Sequence, residues 1–498
     1  MPGVVAVALV ASVNAAHCFL CGLHTWLGAW VRIRGVAGLV EVVEKGFQPM
    51  ETAPEETNRS ILCATNPASL RIVAAKASDH AAFEHFLCTR LRKISTQEFC
   101  HQLEEPWYEP GDRLLLKQRG QIIGHVRLHW RTMFFGKSRW TICRVGCFSL
   151  LPEFRSYGLA EELIQAAEQA MSEQGALLGE GDLEDFEMVS AARWISCAEH
   201  VMSEADPRDI LAEFRVLKES AGNPALLPHA EGGRRQISVR HWRQVELPAL
   251  MRVYQGNAES GFGFLERSEA YWRWLVSRQA FDQILVAIEG RDCLGLDAND
   301  CQIVGYAVVH AHQILEMVVE PGHPTAAEQL LSRICADAIE RDWSSVCLHA
   351  SFAEPLHAVV VAARGSSQGD RTLVRKSVRV CVPHDETLVH YLGPELLHRA
   401  TSGNCPLPVT IGLVIDGHPY QLSITGDGAK LVDGKVGGDY LACSQKTWLR
   451  LLLGSLDASA ALAAESLTAS TVTARRHAEV LLPSVPLWHS PWDDLPIG

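Results

Sequence analysis

A surplus of positive charge is missing from this chain, whose formal net charge is −13 at neutral pH. Broad, sequence-independent nucleic-acid binding needs a basic surface that displaces counterions, so no nucleic-acid partner is expected. Gly-x-Ser-x-Gly, His-Glu-x-x-His and Gly-x-x-x-x-Gly-Lys-Ser/Thr are also missing, which removes the serine-hydrolase elbow, the zincin helix and the phosphate-binding P-loop. Gly434-Lys435 is followed by Val436 and has the wrong spacing before it. No disulfide framework is legible. The fifteen cysteines are odd in number, scattered and mostly set in apolar runs, as at Cys143, Cys147, Cys335 and Cys347, the usage of reduced core thiols in a cytoplasmic protein. One cluster, His17-Cys18-x-x-Cys21-x-x-His24, has metal-like spacing. Its setting is wholly apolar and it has no second cysteine pair nearby, so no metal is expected.

Residues 3–31 contain no Lys, Arg, Asp or Glu, and Arg32 and Arg34 follow at once. The basic region that a signal peptide needs ahead of such a stretch is absent. By length the stretch would serve as a transmembrane helix, with the arginines keeping everything downstream in the cytoplasm. The other reading is a start at Met50, which opens a polar lead just before the first strand. Residues 1–66 are therefore set apart as an apolar leader, and the domains that follow read as soluble either way.

What is present is the composition of an ordinary globular protein, 47% hydrophobic and 21% charged, in 498 residues, enough for roughly three domains. From Leu70 the pattern becomes regular. LRIVAA reads as a strand, Ser78-Asp79 starts a helix through Phe83, Phe86, Leu87 and Leu91, and a second short helix follows Ser95. Two strand-like runs, from Arg113 and from Gln121, flank Arg119-Gly120, a hairpin signal.

The stretch Val145–Ala170 (VGCFSLLPEFRSYGLAEELIQAAEQA) organises the rest. A strand ending at Leu151 feeds a tight turn that opens a helix with apolar residues at Leu159, Leu163, Ala167 and Ala170. The first N–H groups of a helix have no partner within it and carry the positive end of its dipole, which makes them a phosphate site. Gly158 lets backbone approach an anion and Arg155 adds charge. The order Arg-x-x-Gly-x-Ala after such a strand resembles the acyl-CoA pyrophosphate loop of the GNAT superfamily of N-acetyltransferases. The element order over about 100 residues, strand, two helices, hairpin, strand, loop and helix, is similar to a GNAT domain.

That resemblance implies acetyl-CoA as co-substrate. It places Arg155, Ser156, Tyr157, Gly158, Leu159 and Ala160 on the pyrophosphate, and the backbone of Phe148, Ser149 and Leu150 on the pantetheine arm. In the superfamily a tyrosine after the next strand commonly serves as general acid. The corresponding stretch here, Asp185 to Trp194, holds no tyrosine and no glycine.

Residues 218–236 read as a linker rich in Gly, Pro, Ala and charge. The order partly repeats beyond it. The domains are therefore read as 67–217 for the first GNAT domain, 237–372 for a degenerate second, and 373–498 for a terminal domain. The loop of the second, Pro321 to Ala326, lacks the arginine and has a proline where a free N–H would be useful. The terminal region, with strand pairs, two helices and a tail carrying Trp488 and Trp492, resembles the sterol-carrier-protein-like domain that ends the enhanced-intracellular-survival family of acetyltransferases. The expected fold class is α+β with mixed sheets: two tandem GNAT domains and a sterol-carrier-like α/β domain.

The resemblance implies an N-acetyltransferase acting on an aminoglycoside, polyamine or lysine-type amine and assembling as a homo-oligomer, often a hexamer. In such relatives the chain's terminal carboxylate reaches the first active site as general base, a role that falls here to Gly498. The rival reading is a non-catalytic acyl-CoA- or lipid-binding scaffold acting through the terminal domain.

Overall fold

The computed structural model describes residues 70–155, 158–182, 194–220, 237–290, 301–351, 354–363 and 373–494. The hairpin forms where Arg119-Gly120 puts it. Gln118 faces Gln121, and φ values of 49° and 82° at the two turn residues give the mirror-image turn that matches strand twist. It joins β2 (Arg113–Gln118) to β3 (Gln121–Phe135), with β1 (Leu70–Ala74) beside β2 and β4 (Ser138–Leu150) beside β3. Between β1 and β2, the first expected helix is a short α1 (His80–Glu84) continued by a π-turn over His85–Arg90, which buries Phe83, Phe86 and Leu87. Ser95 caps α2 (Thr96–Leu103) by accepting from the Glu98 N–H at 3.0 Å. After β4 come α3 (Leu159–Glu173) and β5 (Leu178–Asp182).

A similar order returns later in the chain. It comprises β7 (Ile237–His241), α5 (Leu247–Ala258), α6 (Glu269–Ser277), β9 (Gln283–Gly290), β10 (Cys301–His310), β11 (Gln313–Val319), α7 (Pro324–Glu340) and β12 (Val346–Ala350), after which comes α8 (Leu356–Ala363). A short β8 (Phe262–Leu265) pairs with the far end of β3.

The two halves are stitched by crossed strands. β6 (Ile195–Ala205) pairs antiparallel with β12, and its following helix α4 (Pro207–Ser220) buries Ile210 and Phe214 in the core of the second half, alongside Leu330, Ile334 and Leu348. Conversely β13 (Leu373–Cys381), which comes after the second half is complete, runs back between β5 and β6 and pairs antiparallel with both. The result is one 13-stranded sheet in the order β1-β2-β3-β4-β5-β13-β6-β12-β11-β10-β9-β7, with β8 off the path.

The terminal region builds a separate five-stranded sheet, β16-β15-β14-β17-β18, from β14 (Val409–Ile415), β15 (His418–Thr425), β16 (Gly428–Asp433), β17 (Tyr440–Cys443) and β18 (Leu467–Ala469). β14 and β15 form an expected hairpin, but β17 lies parallel to β14 and β16 pairs with β15. The Gly-rich connection after β16 carries the chain across, and the Gly412 N–H bonds the Asp439 carbonyl at 2.9 Å. Helix α9 (Asp385–Ser402) lays Leu388, Leu392 and Leu396 into a core shared with Ile411, Leu413 and Leu422 and with Met133, Phe135 and Trp140 of the first half. Among the described residues no helix is long and apolar enough to cross a membrane. Cys143, Cys335 and Cys347 are buried free thiols and Cys147 is half-buried. Residues 1–69, including the His17–His24 cluster and Met50, lie outside the described residues.

Candidate active site

β4 and β5 pair in parallel only at Ile142–Leu178, Cys143–Gly179 and Arg144–Glu180. Beyond Arg144 the strands part, and among the described residues no strand pairs with that edge of β4 from Val145 to Leu150, about 20 Å of backbone. The other edge stays on β3 through a bulge, where the register steps between His125 and Arg127 and Cys147 takes a φ of 53°. That left-handed conformation costs an L-residue roughly 1–2 kcal/mol. Two donors hold it, His125 Nδ1 at 3.1 Å and Ser149 Oγ at 3.0 Å, both on the Cys147 carbonyl. The Phe148 carbonyl accepts from Lys93 Nζ. The side chains of Phe148, Ser149 and Leu150 are all buried, so what this segment offers a ligand is main chain.

The edge runs out at Leu151 into a 3₁₀ turn, Pro152–Phe154, then Arg155, which is exposed. Gly158 precedes α3 with a φ of 71°, a conformation glycine adopts without strain, and a side chain placed there would point into open space. Gly158 makes no side-chain cap, and among the described residues none other does so, which leaves the leading N–H groups available to an anion. Leu159 and Ala160 fix the helix by burial beside Leu163, Ile164 and Ala167. Ser156 and Tyr157 lie outside the described residues. Arg90 adds a further cation to this end, pairing with Glu153 at 3.2 Å. The basic run Arg90-Leu91-Arg92-Lys93 was the sequence signal for that contribution.

At the other end, where the strands separate, one face of the sheet is strongly polar. Arg113, Arg127, His129, Arg131 and Arg144 share it by cross-strand register. Glu105 takes both Arg127 and Arg131. Arg113 is fully buried with neutral hydrogen-bond partners, Gln102 Oε1 at 3.0 Å and Tyr108 Oη at 3.2 Å, and burial together with Arg127 brings it down to about 10. Burial and the neighbouring arginines hold His125 and His129 well below the ordinary imidazole value, so both are neutral. Beside Arg144 on this face, Gly146 leaves open space, with nothing within 4 Å of where a Cβ would stand.

The chain's tail closes this corner. Arg144 Nη1 lies 2.6 Å from Asp494 Oδ2, His489 Nε2 lies 3.0 Å from the same oxygen, and His489 Nδ1 lies 3.9 Å from Glu180 Oε1. The tail threads past β8 so closely that a Cβ on Gly263 would meet the Trp488 backbone at 2.5 Å. It also crosses the second half at the equivalent place. β11 and β12 pair only at Gln313–Cys347 and Ile314–Leu348, and just beyond, Ser490 Oγ bonds the Leu315 carbonyl at 3.4 Å. Asp493 joins Glu316 on the fully buried Arg267, and Trp492 packs on Trp272 and Phe281. There the helix after the parting strand, α7, begins with Pro324, which has no N–H to offer. Gly498 lies outside the described residues. Among those residues no group of three or more His, Cys, Asp or Glu is placed to hold a metal.

Residues 81–180, the span of β2 to β5 with α1 to α3, match the acetyltransferase (GNAT) family model. No curated protein matches the sequence. Among solved structures, a GCN5-related N-acetyltransferase from Kribbella flavida is similar, with 14% identity, 84% of this chain and 97% of that one covered, and a TM-score of 0.59. A conserved Enterococcus faecalis protein described as a probable N-acyltransferase matches at 13% identity over 85% and 99% of the two chains, with a TM-score of 0.61. Eis1 from Mycobacterium abscessus matches at 14% identity over 84% and 99%, with a TM-score of 0.51. At these identities the likeness is one of fold, and it extends over most of the chain.

Proposed function

We propose that this chain is an N-acyltransferase that moves an acetyl group from acetyl-CoA to an amine at the cleft between β4 and β5. One observation carries the reading. An unpaired strand edge leads straight into an uncapped helix start at Gly158, so main-chain donors and acceptors for an extended amide-bearing arm end in a site for its phosphates. These features fit acetyl-CoA, which when bound supplies the activated thioester. The backbone from Val145 to Leu150 would pair with the pantetheine arm. The N–H groups of Leu159 and Ala160, with Arg155, would take the pyrophosphate, Ser156 and Tyr157 completing the loop.

The acyl end and the amine would meet in the open space above Gly146, on the sheet face that Gly146 shares with Arg127 and Arg144. Holding the two reactants there converts a bimolecular step into one within the site. The second half, whose corresponding corner is crossed by Ser490, keeps the fold without the cofactor. The arrangement is then a tandem GNAT pair with a sterol-carrier-like terminal domain, as in the enhanced-intracellular-survival enzymes, and the acceptor is an aminoglycoside, polyamine or lysine-type amine.

Calorimetric titration of acetyl-CoA into the full chain tests this, with Gly158→Trp as control because the indole fills the space at the helix start. Saturable binding that the variant loses, followed by release of free thiol when amines are added, is the expected result. A folded parent that takes up no acetyl-CoA would sink the proposal.

A further inference from the structure

Acyl transfer leaves a thiolate that must acquire a proton, and the tail brings His489 to the point where the two strands part. We propose that His489 is the general acid that protonates the departing sulfur, an assignment that rests on the cofactor lying along β4 as set out above. The imidazole is tied to both strands at their last paired position, through Arg144 on β4 and Glu180 on β5. Its partner Arg144 is two residues, about 7 Å, along the same face of β4 from Gly146, above which there is open space.

His489 Nε2 lies 2.8 Å from Arg144 Nη1 and 3.0 Å from Asp494 Oδ2, which also takes Arg144 Nη1 at 2.6 Å. Nδ1 lies 3.9 Å from Glu180 Oε1 on the other strand. The imidazolium form carries a proton on each nitrogen and so has one to give. Among the described residues, the charges acting on the ring are Glu180 from β5, Asp494 from the tail and Arg144 from β4, with Arg131 on β3 engaged by Glu105. Burial alone would lower the imidazole, but Glu180 and then Asp494 outweigh it, and the group titrates above its ordinary 6.5.

In the step, the amine nitrogen bonds to the thioester carbonyl carbon, the carbon–sulfur bond breaks with its electron pair on sulfur, and sulfur takes a proton from the His489 imidazolium. The new amide sheds its extra proton to solvent, and solvent returns one to His489. General acid catalysis of this kind contributes about 10²–10⁴-fold.

The test follows acetyl-CoA affinity and kcat against pH in the parent and in His489→Gln, with spermidine, kanamycin and a lysine peptide as acceptors. The expected variant binds acetyl-CoA within a few-fold of the parent, loses about 10²-fold or more in kcat, and no longer shows the alkaline decline in kcat. Asp494→Asn, which keeps the ring and removes its carboxylate, should move that decline to lower pH; it decides the question should His489→Gln fail to fold. A parent-like kcat and pH profile in His489→Gln, or an unmoved decline in Asp494→Asn, overturns the assignment of His489 alone. A parent that does not bind acetyl-CoA overturns the cofactor reading instead.

Discussion

Arg144 and Asp494 meet at 2.6 Å at the last residue where β4 still pairs with β5, so the tail is pinned to the point at which the cleft opens. The Arg144 side chain is only 17% exposed while Asp494 stands at the surface, and Arg144 also touches His489 at 2.8 Å. Replacing Arg144 with methionine keeps the stem and removes the pin. Hydrogen bonds to charged groups contribute about 1.5–3 kcal/mol, and a loss within that range is expected in urea unfolding. Limited proteolysis should then cut the tail after Trp488 faster than in the parent, with acetyl-CoA affinity held within a few-fold. A tail no more accessible in the variant would show that other contacts position it.

The charge on His489 makes tail docking pH-dependent, with a sign that follows from its partners. Glu180 and Asp494 raise the folded-state value above 6.5, against the opposing effect of burial. The extra stability is therefore complete below 6.5, the unfolded-state value, and is lost as pH rises through the higher folded-state one. Unfolding free energies of the parent and His489→Gln should differ most below 6.5, and the difference should shrink as pH rises through the higher folded-state value. A difference that grows with pH would contradict the ion pairing described for this ring.

Arg267 is the other anchor. Its guanidinium is fully buried between Glu316 and Asp493, at 2.6 and 2.7 Å, with Tyr306 donating to Glu316 at 2.6 Å. Removing one partner from such a cluster leaves uncompensated charge, which costs about 3–5 kcal/mol. Arg267→Met should show a loss of that size by denaturant unfolding, while Arg267→Met with Glu316→Gln and Asp493→Asn should recover part of it. Failure of the triple variant to recover would mean that the rings of Tyr254, Trp272 and Trp492 around the guanidinium contribute more than its charge.

Much of this was legible in the residues, and the rest was hidden for identifiable reasons. The Arg119-Gly120 turn, the Ser95 cap and the strand into the Gly158 turn are local features, in which composition and spacing within a few residues decide the backbone. The crossing of β6 and β13 was not legible, because a strand's period of two says which face is buried and nothing about which strand lies beside it. Helix α9 was obscured by Pro394 in its interior, a residue that ordinarily argues for a break. The corner that gathers Arg144, Glu180, His489 and Asp494 joins residues more than 300 positions apart, Arg144 and His489 being separated by 345. No motif within either segment marks the meeting. The tail's prolines and tryptophans announced a rigid, packed segment, but not that it would cross both parting strand pairs.

On the proposed cofactor reading, that crossing would limit the chain to one acetyl-CoA. The two halves share an element order and each has a parallel strand pair that separates, so fold alone would allow two cofactor sites. The first corner keeps open space above Gly146 and a glycine-led, uncapped helix. In the second, Ser490 takes the Leu315 carbonyl, Trp492 is wholly buried against Trp272, and α7 starts on a proline. Displacing a buried tryptophan costs about 3–5 kcal/mol, on the order of a hundredfold or more in affinity, before any ligand contact is made. Titration of acetyl-CoA should therefore saturate at one molecule per chain. Gly158→Trp should abolish the signal rather than halve it. Two molecules bound per parent chain, or one retained in the variant, would show that the second half accepts the cofactor despite the tail.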